Sequence, residues 1–148
     1  MGRGFNGRIL LGASLAATAL ATAPIGYAGE PITPRNGTYS GVGSMDGDES
    51  HYAQVGFTLK GGKIVLTAGV FDIPFCNGGF SVPPTTLGPN RFETTSTGSN
   101  MEENRVTGRW VSNTRVKGRV VLERPSAASC GDPGTYVFRY KGKRYGKP

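Results

Sequence analysis

One histidine, one tryptophan and two cysteines are all that 148 residues contain, and past residue 23 there is no long apolar run. Each scarcity excludes something. His51 alone cannot build a His-rich metal site, and a Ser-His-Asp triad would have to use it with no serine motif alongside. At the edge of a strand it reads as a surface residue. Two cysteines without C-x-x-C spacing exclude a thiol redox centre of that type. No window of ten or more residues repeats its apolar positions at the helical period of 3.6, so helices are not expected. Acidic residues are nearly absent from residues 105–148, which hold two against eleven basic ones.

What is present begins with a targeting pattern. Arg3 and Arg8 precede an uncharged stretch from Ile9 to Ala23, and Gly26-Tyr27-Ala28 supplies the small residues of a cleavage site. A positive n-region, an apolar core of about 7–15 residues and small side chains before the cut define a secretory signal. Cleavage is expected after Ala28, with Ala21 as the alternative. A stretch this short and rich in Ala, Gly and Thr falls below the roughly 20 residues that span hydrocarbon, so no stable membrane anchor is expected. The expected location is secreted: extracellular, cell wall or periplasm.

The chain beyond residue 28 carries 15 basic and 10 acidic residues, a formal charge of +5, and the charge is unevenly spread. Residues 29–104 sum to −4 and residues 105–148 to +9. In an oxidising compartment two cysteines usually pair, and Cys76 with Cys130 is the one intramolecular pairing open to them; two free thiols or an intermolecular bridge are the alternatives. The closed loop of about 55 residues corresponds to roughly 4 kcal/mol at most in the chain-entropy account.

The pattern predicts strands throughout. Apolar residues alternate with period two in 37–43, 51–60, 63–71, 80–82, 91–97, 106–110, 116–122 and 135–140, and Gly, Pro and Asn turns separate them. Val55, Phe57 and Leu59 share one face; Gly61-Gly62 provides the positive φ of a tight hairpin; Ile64, Leu66, Ala68 and Val70 are expected on the returning buried face. Residues 72–79 and 124–134 read as loops. The expected fold is all-β, an antiparallel β-sandwich of about seven or eight short strands, with a small β-barrel as the alternative. The expected organisation is a signal peptide (1–28), an extended leader (29–36), the β-domain (37–140) and a basic tail (141–148).

The run Gly37-Thr38-Tyr39-Ser40-Gly41, then Val55-x-Phe57 before Gly61-Gly62-Lys63-Ile64-Val65, Cys76, Gly108-Arg109-Trp110, Val116-x-Gly118 and Cys130-Gly131 before an aromatic strand resembles small secreted bacterial β-domains of the actinobacterial type, whose function is unknown. The resemblance implies a secreted, disulfide-linked β-domain and transfers no active site. The basic segment 141–147 is not part of that pattern.

No catalytic residue, metal ligand or cofactor is assigned. Asp46, Asp48 and Glu49 cluster in a turn but lack calcium-loop spacing and read as solvated charges. The one segment suited to binding is the basic carboxy-terminal part. Lys117, Arg119 and Arg139 fall opposite the buried positions, and with Lys141, Lys143 and Arg144 they are the expected anion-binding set. The plainer role of the same charges is solubility and protection of sheet edges. The expected function is that of a non-catalytic, monomeric module contacting an anionic envelope or extracellular polymer. The alternatives are a module that binds an extracellular protein through residues 72–79 or 96–104, and a hydrolase with an unrecognised carboxylate site. Export argues against nucleic acid as a partner.

Overall fold

The computed structural model describes residues 31–98, 102–126 and 131–146. The expected signal peptide, Cys130 and Lys147 lie outside these residues. Nine strands are described: β1 (Gly37–Met45), β2 (Asp48–Lys60), β3 (Lys63–Ile73), β4 (Cys76–Val82), β5 (Thr85–Thr86), β6 (Arg91–Thr97), β7 (Glu103–Ser112), β8 (Arg115–Arg124) and β9 (Gly134–Gly146). They form a single antiparallel sheet in the order β4-β3-β2-β1-β9-β8-β7-β6, with β5 beside β3. The all-β, antiparallel expectation is met. One continuous sheet curled into a half-barrel corresponds to the barrel alternative more closely than to two stacked sheets.

Curling is visible in what meets across the interior. Tyr39 of β1 lies edge-on to Trp110 of β7 at 4.8 Å, and Phe57 of β2 lies edge-on to Phe92 of β6 at 5.0 Å. All four are buried, and each such side chain contributes roughly 1.5–3 kcal/mol on burial. The two outermost strands also approach each other. Thr94 Oγ1 donates to the Pro83 carbonyl at 2.6 Å and Ser96 Oγ to the Ser81 carbonyl at 2.8 Å, so side chains rather than a backbone ladder close the gap between β6 and the β4 side.

The core is arranged in cross-strand rows. One inward row runs Phe92, Gly108, Gly118, Tyr140, Gly43, Ala53, Phe71, Gly78 from β6 to β4, each aromatic ring flanked by small residues. Gly118 shows why. A Cβ there would sit 1.8 Å from the Thr107 carbonyl oxygen and 2.8 Å from the Tyr140 ring, so the ring can cross β8 only because that position has no side chain. The Tyr140 hydroxyl then donates to the Thr107 carbonyl at 2.9 Å.

Three local expectations are corrected. Gly61 and Gly62 make the predicted hairpin turn, with φ of 58° and 75°, but the register shifts right after it: Leu59 faces Ile64, whereas Thr58 faces Leu66. Val65 is the extra residue of a bulge, and a one-residue shift exchanges the faces of everything beyond it. Thr67, Phe71 and Ile73 therefore point inward, and Leu66, expected in the core, is 61% exposed. Residues 72–79 are not a loop, because β3 and β4 meet through a two-residue turn at Pro74-Phe75. Residues 141–146 are not a tail: Lys141 and Lys143 pair with both β1 and β8.

The leader is docked rather than free. The Ile32 amide donates to Asn90 Oδ1 at 2.6 Å, the Arg35 amide to the Asn113 carbonyl at 2.8 Å, and the Tyr39 hydroxyl to the Arg35 carbonyl at 2.5 Å.

Candidate cationic face

The outer side of β6–β9 gathers the basic residues, and register decides how. Arg91 of β6 faces Arg109 of β7, Arg109 faces Lys117 of β8, and Lys117 faces Lys141 of β9. Four exposed cations on four adjacent strands thus form one straight row. At about 4.8 Å between strands the row is about 14 Å long. Like charges directly opposite one another destabilise a sheet, and among the described residues none of the four forms an ion pair.

The neighbouring outward row differs. It reads Glu93, Thr107, Arg119, Arg139, so it carries its own carboxylate at one end. At the other end Arg139 Nε donates to Asp46 Oδ1 at 2.8 Å. On the far side of the four-cation row, Arg115 faces Lys143. A cleft of about 890 Å³ is lined by both the four-cation row and the row of Arg119 and Arg139.

Five of the six residues expected to bind anions, Lys117, Arg119, Arg139, Lys141 and Lys143, share this outer face. Arg144 does not: its Nε donates to the Asn36 carbonyl at 2.8 Å at the end of the barrel, on the side of Tyr39. The shift in the β1–β9 register between Thr38 and Tyr39 lies at that point. Arg91 is not in the expected set, since it belongs to the acidic half of the chain by sequence, and Arg109 enters the sequence reading only in the run Gly108-Arg109-Trp110. A hairpin centred near residue 100 is the signal that pairs the two.

Apart from Glu93 and Asp46, acidic groups also cluster around His51, away from the cationic row. Asp48 Oδ1 accepts from the Ser50 amide at 2.9 Å and from its hydroxyl at 2.5 Å, bonds that hold the Asp48 carboxyl below its usual range. His51 sits between two carboxylates, 3.5 Å from Asp48 and 3.8 Å from Asp72. Among the described residues no group of three or more His, Cys, Asp or Glu side chains is placed to hold a metal ion. No described helix is long and apolar enough to cross a membrane.

Two further features mark the opposite end of the barrel from Arg91. Phe75 is 91% exposed at the tip of the β3–β4 turn, in a left-handed conformation with φ of 62°. Arg124 is only 3% exposed. Its guanidinium lies over the Phe71 ring at 5.2 Å and donates to Asn104 Oδ1 at 3.1 and 3.2 Å, and burial lowers its proton affinity. Beside them, a Cβ on Gly131 would lie 3.4 Å from the Cβ of Cys76, so the residue following Cys130 rests against Cys76.

The chain matches no protein-family model and no curated protein. Among solved structures it is similar to EF1p2_mFAP2b bound to DFHBI, at 13% identity and a TM-score of 0.48, over 74% of this chain and 93% of that one. A likeness at this level carries no argument about what this chain does.

Proposed function

We propose that this is an exported, non-catalytic β-domain, stapled by a Cys76–Cys130 disulfide and acting as a monomer, that holds an anionic polymer of the envelope or extracellular space on the outer face of β6–β9. The observation that carries the reading is the unpaired row Arg91, Arg109, Lys117, Lys141. Solubility requires charge but not like charges in register, which cost stability wherever no anion lies between them. The proximity of Gly131 to Cys76 supports the disulfide, and the resemblance to small secreted bacterial β-domains agrees with export.

The test is retention of the purified protein on isolated cell envelopes across a salt series. Retention at low salt and release at moderate salt is expected, because exposed charges are screened beyond roughly 8 Å at physiological ionic strength. Replacing Arg91, Arg109, Lys117 and Lys141 together by Gln abolishes retention. Unchanged retention of that variant would refute the reading.

Phe75 favours a second reading. A large aromatic almost fully exposed at a turn is the kind of anchor that protein interfaces bury. Salt-insensitive capture of an extracellular protein, lost on Phe75→Ser, would select this alternative.

A further inference from the structure

The shape of the cationic face says more than its charge. The cleft is lined by two outward residue levels on each of β6, β7, β8 and β9, by the inward level between them, and by Thr86 and Gly88 beside β6. Along the strands that is about 7 Å, at roughly 3.3 Å per residue, whereas across four strands it is about 14 Å. The cleft is therefore elongated perpendicular to the strands, parallel to the four-cation row. Its second level is partly neutralised by Glu93 and by the Asp46–Arg139 pair, and Arg115 and Lys143 lie outside its lining, so within the cleft uncompensated charge is concentrated along a line.

From this, and resting on the polyanion-binding reading above, we infer that the ligand is an extended linear polyanion with closely spaced charges, laid across β6–β9 along Arg91, Arg109, Lys117 and Lys141. A compact anion of equal charge would meet two of these cations at once, whereas an extended chain meets all four. Arginine forks suit phosphate and carboxylate groups alike, so the shared chemistry is a linear chain of either anion.

The inference is tested by direct titration at low salt with three probes: inorganic polyphosphate of graded chain length, oligogalacturonates of matched charge, and inositol hexakisphosphate as the compact anion. Affinity for a linear probe is expected to rise with length until the chain spans the row and then flatten, and the compact probe is expected to bind at least tenfold more weakly. Tighter binding of polyphosphate identifies a phosphate polymer; tighter binding of oligogalacturonate identifies an acidic sugar polymer.

Two double variants give the positional readout. Arg109→Gln with Lys117→Gln and Arg115→Gln with Lys143→Gln each remove two exposed cations that face one another across adjacent strands. The first is expected to lose at least tenfold in affinity and to flatten the salt dependence by about two contacts, the second less than threefold. Equal losses in the two variants, or a compact probe that binds as well as the linear ones, would overturn the inference while leaving the polyanion reading in place. No binding of any polyanion at low salt would overturn both.

Discussion

From β6 to β9 one outward row reads Arg91, Arg109, Lys117, Lys141, and on β1 to β4 the same row continues as Val42, Gln54, Val70, Gly79. Directly behind it the inward row obeys one rule in both halves, large beside small: Phe92 over Gly108 and Tyr140 over Gly118 on one side, Phe71 beside Ala53 and Gly78 on the other. The two halves solve the same packing problem in the same way. They part company only on the outside, where packing has no say. The cations of one half are therefore not a by-product of the fold; a sheet with the β1–β4 exterior folds by the same inner pattern without them.

Three changes break or sharpen this contrast. The largest is at the contact that joins the halves. Trp110 of β7 reaches Tyr39 and Phe57 at 4.8 and 6.0 Å, and Trp110→Ala is expected to cost about 3–5 kcal/mol in denaturant unfolding, with loss of cooperativity if the halves separate.

The next probes the inner row behind the cations. Burial raises the Tyr140 hydroxyl well above the ordinary tyrosine range, and burial also raises Tyr39, against the pull of Arg144 and Arg35. A group whose pKa is raised on folding contributes stability that is complete below its unfolded pKa, about 10 for tyrosine, and is lost as pH rises above it. The protein is expected to lose stability steeply above about pH 10. Tyr140→Phe should cost about 1 kcal/mol at pH 7, through loss of the hydrogen bond to Thr107, and should flatten the alkaline loss; equilibrium melts at pH 7 and pH 11 check both.

The smallest concerns the outer row itself. Lys117→Gln removes repulsion from Arg109 and Lys141 and is expected to stabilise by about 0.2–1 kcal/mol. Gln54→Lys in the other half of the row, between Val42 and Val70, should stay within about 0.5 kcal/mol. Thermal melts of the two variants side by side decide whether the cationic half carries a stability cost that the other half lacks.

Most of this architecture was readable from alternation, because a period of two states which side each residue takes as long as the count is unbroken. β6 was predicted over its full length, and the inward set Val55, Phe57 and Leu59 fell as expected. The count is broken at Val65, and there the reading failed: Leu66 and Val70 are exposed because a bulge carries no strong residue signature. The register of β7 on β8 also shifts, between Trp110 and Ser112, and that shift sets Arg109 opposite Lys117. Simple counting back from the Asn113-Thr114 turn would have set it opposite Gly118. The basic composition of the site was therefore visible, while its linear order was not, since order comes from the register of three successive strand pairings, one of them shifted. Arg91 and Lys141 are 50 positions apart in the sequence.

The gap between the ends of the half-barrel has a mechanical side. Where β6 meets the β4 side, two hydroxyls do the work that a full ladder does elsewhere: Thr94 on the Pro83 carbonyl and Ser96 on the Ser81 carbonyl. At about 1 kcal/mol apiece, they form a clasp far weaker than the seams on either side. Without it β6, which carries Arg91, the first cation of the row, is held by its ladder to β7, by Phe92 against Phe57 and by the bridge between Arg91 and Gly88. The strand that opens the cationic row thus borders the weakest seam of the sheet, and two hydroxyl groups that never touch the row help to hold it there.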